Sequence, residues 1–262
     1  MKCGIVGVGN IGGIIAKRLV ETGTLDKSEL FLASRTFERL KPFAEQGFQI
    51  SSVKEIAEKC EVIFLCVKPQ DSDKMFEELG EAPDRLIIST MTGVTIKRIV
   101  ERTKSVKVVR IMPNIPSMIG QGVIGLAKSE SLNQQDWQTV EKLLSCLGKI
   151  FEVKEELIPA VTALSGSGPA FIFVIVDALI DAGIRMGLSY DLSRRMVLET
   201  MKGSAELLLQ LGNHPGEFRH VVTSPAGTTI EGIYRMERER VRGALMKTIQ
   251  DTYMRALELQ KE

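Results

Sequence analysis

Histidine is nearly missing from this chain of 262 residues, which has only His214 and His220. Six residues apart, the pair does not share one helical face as an i, i+4 metal pair would. The four cysteines, Cys3, Cys60, Cys66 and Cys146, include no pair at metal-ligand spacing. No metal is therefore expected, and the histidines read as loop or surface groups. Charge of one sign is lacking as well. Lys and Arg number 34 against 33 Asp and Glu, a net charge of +1, so nothing in the balance recruits nucleic acid or an anionic membrane. Aromatic residues make up 5%, and the single Trp137 lies in a polar helix start where it packs locally. The longest apolar run, in the 170s, is cut by Asp177 and Asp181 well short of the roughly 20 residues a membrane helix needs. The first residues lack the charged and apolar regions of a secretory leader. Cys3 and Cys66 fall inside apolar strand-like runs, where a thiol serves as a small buried hydrophobe. A cytoplasmic protein with reduced thiols is expected.

What is present begins with a continuous apolar run over residues 2–8 that delivers Gly7, Gly9 and Gly12 in the spacing G-x-G-x-x-G, followed by a helix from Ile11. This is the strand, turn and helix of a dinucleotide-binding unit. One glycine makes the tight turn, one lets backbone approach a pyrophosphate, and one lets helix pack on strand. The second strand, residues 30–33, ends in Ser34-Arg35-Thr36, about 20 residues beyond the last glycine. An NAD-binding chain commonly carries Asp or Glu there, for the ribose hydroxyls. None is present. A guanidinium flanked by two hydroxyls suits a 2′-phosphate, so NADP(H) is the preferred cofactor and NAD(H) the other accepted one. An ordinary surface arginine is the alternative at Arg35.

Further strands are expected over 48–51, 61–67, 86–89, 106–111, 123–127 and 150–153, with helices over 53–59 and 136–147, the latter capped by Gly148. Strand ends carry Val67, Lys68 and Pro69, then Thr90-Met91-Thr92-Gly93, then Arg110-Ile111-Met112-Pro113-Asn114-Ile115-Pro116. Ligands bind at such carboxyl ends, although Lys68 serves equally well in a structural salt bridge. The fold class is α/β, a doubly wound, mainly parallel Rossmann-like sheet over residues 1–157, followed by an all-helical dimerisation and substrate domain over 158–262.

In the helical part, Ser165, Gly166, Ser167, Gly168 and Pro169 read as a turn ending at a helix N-terminus, where free N–H groups and the macrodipole attract an anion. Residues 170–176 are apolar on every side, which predicts a helix buried all round. The alternative is a bare helix start leading into a core helix. Asp191 is a plausible N-cap for the next helix, which runs to Leu211 with Gly212 beyond it, and His214-Pro215 opens a short helix. Residues 222–229, Val-Thr-Ser-Pro-Ala-Gly-Thr-Thr, form a second hydroxyl-rich turn before a helix.

The chain resembles the pyrroline-5-carboxylate reductase family. The matching stretches are Gly7-Val8-Gly9-Asn10-Ile11-Gly12, Val67-Lys68-Pro69-Gln70, Arg110-Ile111-Met112-Pro113-Asn114, residues 161–171, and residues 222–229 with Ile230 and Gly232. They occur in the family's order across nearly the whole length. The resemblance implies hydride transfer from NAD(P)H to 1-pyrroline-5-carboxylate, giving L-proline. Gly7, Gly9, Asn10, Ile11, Gly12, Ser34, Arg35, Thr36, Val67, Lys68, Pro69 and Gly93 would hold the cofactor. The substrate carboxylate would meet Ser165, Gly166, Ser167 and Gly168, with Asn114 and Thr228 also lining the substrate site. Ser224 and Thr229 would be the catalytic pair, Thr229 beside the ring nitrogen. A homodimer is implied, with dimers assembling further into a decamer. The chain departs from the family pattern at Ile115, Ala226 and Met91-Thr92-Gly93, where smaller or more polar residues are usual. Two other readings stay open: a reductase of another small imino or oxo acid, and a non-catalytic regulatory paralogue that keeps the fold and the cofactor site.

Overall fold

The computed structural model describes residues 1–260. Short runs rich in Val, Ile and Leu, buried on both faces, make the central strands of one sheet. Its strands are β1 (Cys3–Val6), β2 (Leu30–Ala33), β3 (Gln49–Ile50), β4 (Val62–Leu65), β5 (Leu86–Ser89), β6 (Val108–Met112), β7 (Gly122–Lys128) and β8 (Gly148–Glu152). The order is β3-β2-β1-β4-β5-β6-β7-β8, parallel except where β7 runs antiparallel to β6, and the edge strands β3 and β8 are more exposed. β1 lies between β2 and β4, with Cys3 opposite both Leu30 and Val62. The chain therefore leaves β1 toward one edge and returns to build toward the other, which makes the carboxyl ends of β1 and β4 the switch point of the sheet.

Helices α1 (Asn10–Glu21), α2 (Phe37–Glu45), α3 (Val53–Lys59), α4 (Ser72–Leu79), α5 (Ile96–Thr103) and α6 (Gln134–Leu144) connect the strands. Two large apolar cores result, beside a small third cluster of Met112, Ala127 and Ile158. One is built around Ile5, Ile15, Leu19, Leu32 and Phe64, the other around Ile56, Ile63, Leu65, Phe76 and Ile87. Side-chain caps start several of these helices: Ser52 and Glu55 form a reciprocal box at α3, Thr95 caps α5 and Asn133 caps α6. All four cysteines are unpaired, three of them buried. Burial pushes the thiols of Cys3 and Cys66 up to about 12, in keeping with their role as small hydrophobes.

Gly148 is not a helix cap. Helix α6 ends at Leu144, a 3₁₀ turn follows over Ser145–Leu147, and Gly148 opens β8 at φ +144°. A Cβ there would fall 2.0 Å from the Gly122 carbonyl oxygen, so glycine is needed for strand approach.

The chain divides into two compact units, Met1–Pro169 together with residues from Thr252 onward, and Ala170–Asp251. A helical stretch closes the continuous part of the first unit: α7 (Ile158–Val161), a π-helical turn over Thr162–Gly166, and the start of α8 (Gly168–Arg185). The second unit holds the rest of α8 with α9 (Tyr190–Leu211), α10 (Pro215–Val221), α11 (Thr228–Arg238) and the beginning of α12 (Val241–Glu258). Ser189, not Asp191, caps α9, its hydroxyl accepting the N–H of Leu192; Asp191 lies in the first turn. Gly212 ends α9 in the left-handed conformation, as expected. His214 caps α10 by accepting the Gly216 N–H at Nδ1.

The apolar segment of α8 is not buried in the single chain. Phe173 is 59% and Val174 70% exposed, Ile172 and Leu179 also face outward, and only Ile180 and Gly183 of this helix are buried. The length argument against a membrane span also changes. Counted from Glu155, the helical stretch Glu155–Arg185 is long and apolar enough to cross a membrane by length and composition.

Candidate functional site

At the switch point Gly7 and Gly12 each have a separate reason to lack a side chain. Gly7 takes φ +100°, and a Cβ on it would meet the Cys66 backbone carbonyl at 2.6–2.7 Å; its own N–H donates to the Ala33 carbonyl. On Gly12 a Cβ would fall 2.1 Å from the Gly7 carbonyl oxygen, so this residue sets the close packing of α1 on β1. Gly9 is the N-cap of α1 in extended conformation and carries no side-chain cap. The first turn of α1, Asn10, Ile11 and Gly12, has no acidic residue, so no carboxylate of that turn competes for its N–H groups or offsets the helix dipole. That end suits a pyrophosphate. Cys66 packs beneath the loop as a filler, and its raised pKa removes it as a nucleophile.

At the end of β2, Ser34 is half-buried while Arg35 and Thr36 are exposed. Arg35 donates to Asp71 and is 68% exposed, so its guanidinium is held beside the crevice by a surface ion pair only. The residue that the motif reading missed is Arg39. Its Nη1 lies 3.4 Å from where a Cβ of Gly9 would be, placing a second guanidinium over the glycine loop, and it makes no ion pair among the described residues. No local pattern marks it: Arg39 lies in the first turn of a helix beginning at Phe37, after the N-cap Thr36, and its place over the loop follows from how that helix leaves β2. Val67, Lys68 and Pro69 follow β4 beside the loop, Lys68 exposed. Gly93 follows β5 at φ +80°, and the Leu259 carbonyl oxygen lies 2.2 Å from where its Cβ would be. One face of Gly93 is therefore covered by the C-terminal segment.

The loop after β6 is tied to the helical stretch. Arg110 is 2% exposed, and its Nη1 donates at 2.6 Å to Glu155, whose same oxygen accepts the Ile96 N–H. Asn114, 6% exposed, accepts the Val123 N–H at Oδ1 and donates from Nδ2 to the Ser165 carbonyl at 3.0 Å. These two partners fix which end of the amide is which.

The stretch Ser165 to Gly168 differs from the simple turn expected. It is a π-helical turn over Thr162–Gly166, with Ser167 as a bend before α8 begins at Gly168. The Ser167 N–H is taken by the Thr162 carbonyl, and the Ser165 hydroxyl by the Val161 carbonyl. Neither is free for an anion, whereas the Ser167 hydroxyl has no hydrogen bond among the described residues. Single π turns inside helices are enriched at functional sites.

In the other unit the turn 224–227 is closed by the Gly227 N–H donating to the Ser224 carbonyl. Pro225 follows Ser224 and Ala226 takes φ +56°, the pattern of a type II turn. Gly227 is the N-cap of α11 and gives no side-chain cap. The Ser224 hydroxyl packs over it, 2.3 Å from where a Cβ would be. Thr228 and Thr229 open the helix, Thr229 half-buried, and no hydrogen bond forms from either hydroxyl among the described residues. This is the bare helix start that the first bend only partly provides.

Two family models match the chain, one described as "NADP oxidoreductase coenzyme F420-dependent" over residues 2–93 and one as "Pyrroline-5-carboxylate reductase dimerisation" over residues 155–259. The pyrroline-5-carboxylate reductase of Aquifex aeolicus is 37% identical over 99% of this chain and 97% of its own. The chain belongs to the pyrroline-5-carboxylate reductase family. A second relative in this family, from Synechocystis, is 32% identical over 100% of this chain and 99% of its own. Among solved structures, the pyrroline carboxylate reductase of Plasmodium falciparum with NADP bound superposes with a TM-score of 0.89 at 27% identity, covering 99% of this chain and 98% of the other. The glycine loop and the two polar bends thus belong to one reductase family, and the dimerisation model takes in both bends and the exposed α8.

Proposed function

We propose that this chain reduces 1-pyrroline-5-carboxylate to L-proline with NADPH, as a cytoplasmic homodimer. The observation that carries the reading is the pair of uncapped helix starts, α1 after Gly9 and α11 after Gly227, in a chain similar over its full length to pyrroline-5-carboxylate reductases. One suits a pyrophosphate and the other a small carboxylate or imine. Gly7, Gly9, Asn10, Ile11 and Gly12 hold the pyrophosphate; Val67, Lys68, Pro69 and Gly93 border the nucleotide. Ser34, Arg35 and Thr36 take the 2′-phosphate, helped by Arg39, and the absence of an acid at the end of β2 fits NADP(H) better than NAD(H).

The reduced nicotinamide supplies the hydride. The residues of the chain supply position. Ser167 and Gly168 on one bend, and Ser224 and Thr228 on the other, bind the substrate carboxylate. The Thr229 hydroxyl oxygen accepts the N–H of the protonated ring imine and holds it for attack. Neither bend carries a strong acid or base, which suits a cyclic imine that enters already protonated, so catalysis is mostly proximity and orientation. Cofactor binding is assigned to residues 1–157 and dimerisation with substrate binding to 158–262, a division supported by the dimerisation model starting at residue 155. The apolar stretch Glu155–Arg185 is assigned to the subunit interface and not to a membrane, dimers assemble further into a decamer, and the near-neutral charge supports the absence of a nucleic-acid partner.

The test is NADPH oxidation followed with and without 1-pyrroline-5-carboxylate. Turnover that depends on the imino acid is expected; cofactor binding without turnover would mean a regulatory paralogue, and preference for larger cyclic imines a different substrate. Thr229→Val is expected to lower kcat about tenfold while KM rises less, since one hydrogen bond at the reacting nitrogen is lost. An unchanged kcat would reject that role.

A further inference from the structure

Pro169 has a cost for the helix that contains it. In an α-helix the Ser165 carbonyl would accept the N–H of residue 169, and proline has none. Asn114 fills the gap from outside the helix: its Nδ2 donates to that carbonyl at 3.0 Å, while its Oδ1 accepts the Val123 N–H at 2.9 Å and so anchors the amide to β7. The turn is anchored to the same strand a second time, because the Val161 side chain lies 2.3 Å from where a Cβ of Gly125 would be, a seat only glycine allows. Between these anchors the backbone widens into the π turn, the Thr162 carbonyl takes the Ser167 N–H, and the Ser167 hydroxyl has no hydrogen bond among the described residues.

We propose that Asn114 is a positioning residue for the substrate carboxylate: by holding the Ser165 carbonyl that Pro169 leaves without its α-helical donor, it fixes the π turn that presents Ser167. This rests on the reductase reading above. At 6% exposure Asn114 offers almost no surface to a ligand, so its role in the site is exerted through the turn and not by touching substrate.

Asn114→Asp isolates the bond. The carboxylate still accepts from Val123 but places an oxygen against the Ser165 carbonyl. The expected result is a KM for 1-pyrroline-5-carboxylate raised about tenfold, with kcat and the NADPH dissociation constant within about twofold, and faster amide exchange at Ser167 in the cofactor-free protein. Pro169→Ala returns an N–H to the helix, so adding Asn114→Asp in that background should raise KM no further, because both changes act on one carbonyl. Penalties that multiply, a KM that does not move, or an NADPH dissociation constant that rises as much as KM would overturn the positioning role while leaving the reductase reading intact. Absence of turnover by the unsubstituted enzyme would overturn the reductase reading and the positioning role with it.

Discussion

The guanidinium of Arg35 illustrates how little energy separates two uses of one side chain. Its pair with Asp71 lies in solvent, where such pairs are worth about 0–1 kcal/mol, whereas a hydrogen bond to a charged phosphate is worth roughly 1.5–3 kcal/mol. A 2′-phosphate therefore wins the competition and releases Asp71. Arg39, over Gly9, adds a second positive charge near the loop. Arg35→Glu is expected to weaken NADPH by about tenfold or more and NADH by less than about twofold, measured as dissociation constants by fluorescence titration. Equal losses for the two cofactors would show that Arg35 does not read the phosphate. The sequence alone pointed to Arg35 because the ribose acid is missing, but it gave no reason to choose Arg39, whose placement depends on the angle at which α2 leaves β2.

Among the elements, the start of α11 keeps a glycine's geometry without the glycine. Ala226 stands at φ +56°, a region that costs an L-residue roughly 1–2 kcal/mol. Replacing it by glycine removes that strain but adds backbone freedom to the unfolded chain, worth about 0.4–1 kcal/mol. Strain wins, so Ala226→Gly is expected to raise Tm by about 1–3 °C in a calorimetric scan, with the turn unchanged. A fall in Tm would mean that the turn had reshaped around alanine. The same element shows what was legible. A β1–loop–α1 unit could be read because three glycines fall at fixed spacing, two of them, Gly7 and Gly12, where a Cβ would meet backbone. The hydroxyl-rich run 222–229 could be read because Ser, Pro and Gly favour turns and caps locally. The π turn could not: it arises from a proline whose missing donor is replaced by an asparagine 55 positions earlier in the chain, a long-range pairing that no local pattern carries. Gly148 was misassigned for the same reason, since its neighbour Gly122 is on another strand.

At the scale of the whole molecule, the uniform apolarity of residues 170–176 predicts a helix buried all round, and the chain by itself leaves that segment exposed. Ile172, Phe173, Val174 and Leu179 are exposed along α8, and an apolar cavity of about 310 Å³ lies between α8 and α9, lined by Leu179, Met186, Leu188, Met196 and Met201. An exposed apolar patch on this scale marks an interface, and the dimerisation model that spans it names the kind of partner. In a two-fold interface one substitution is felt twice. Burying an unpaired lysine in place of Val174 costs on the order of 2 kcal/mol per copy, hence about a thousandfold in the dimer dissociation constant. Val174→Lys is expected to elute as a monomer in light scattering at micromolar concentration and to lose turnover with it. Val106→Lys, an exposed apolar residue just before β6, should leave both unchanged. A Val174→Lys protein that stays dimeric at the same dilution would mean that α8 faces something other than a second copy, and the assignment of the Glu155–Arg185 stretch to the subunit interface would fall with it.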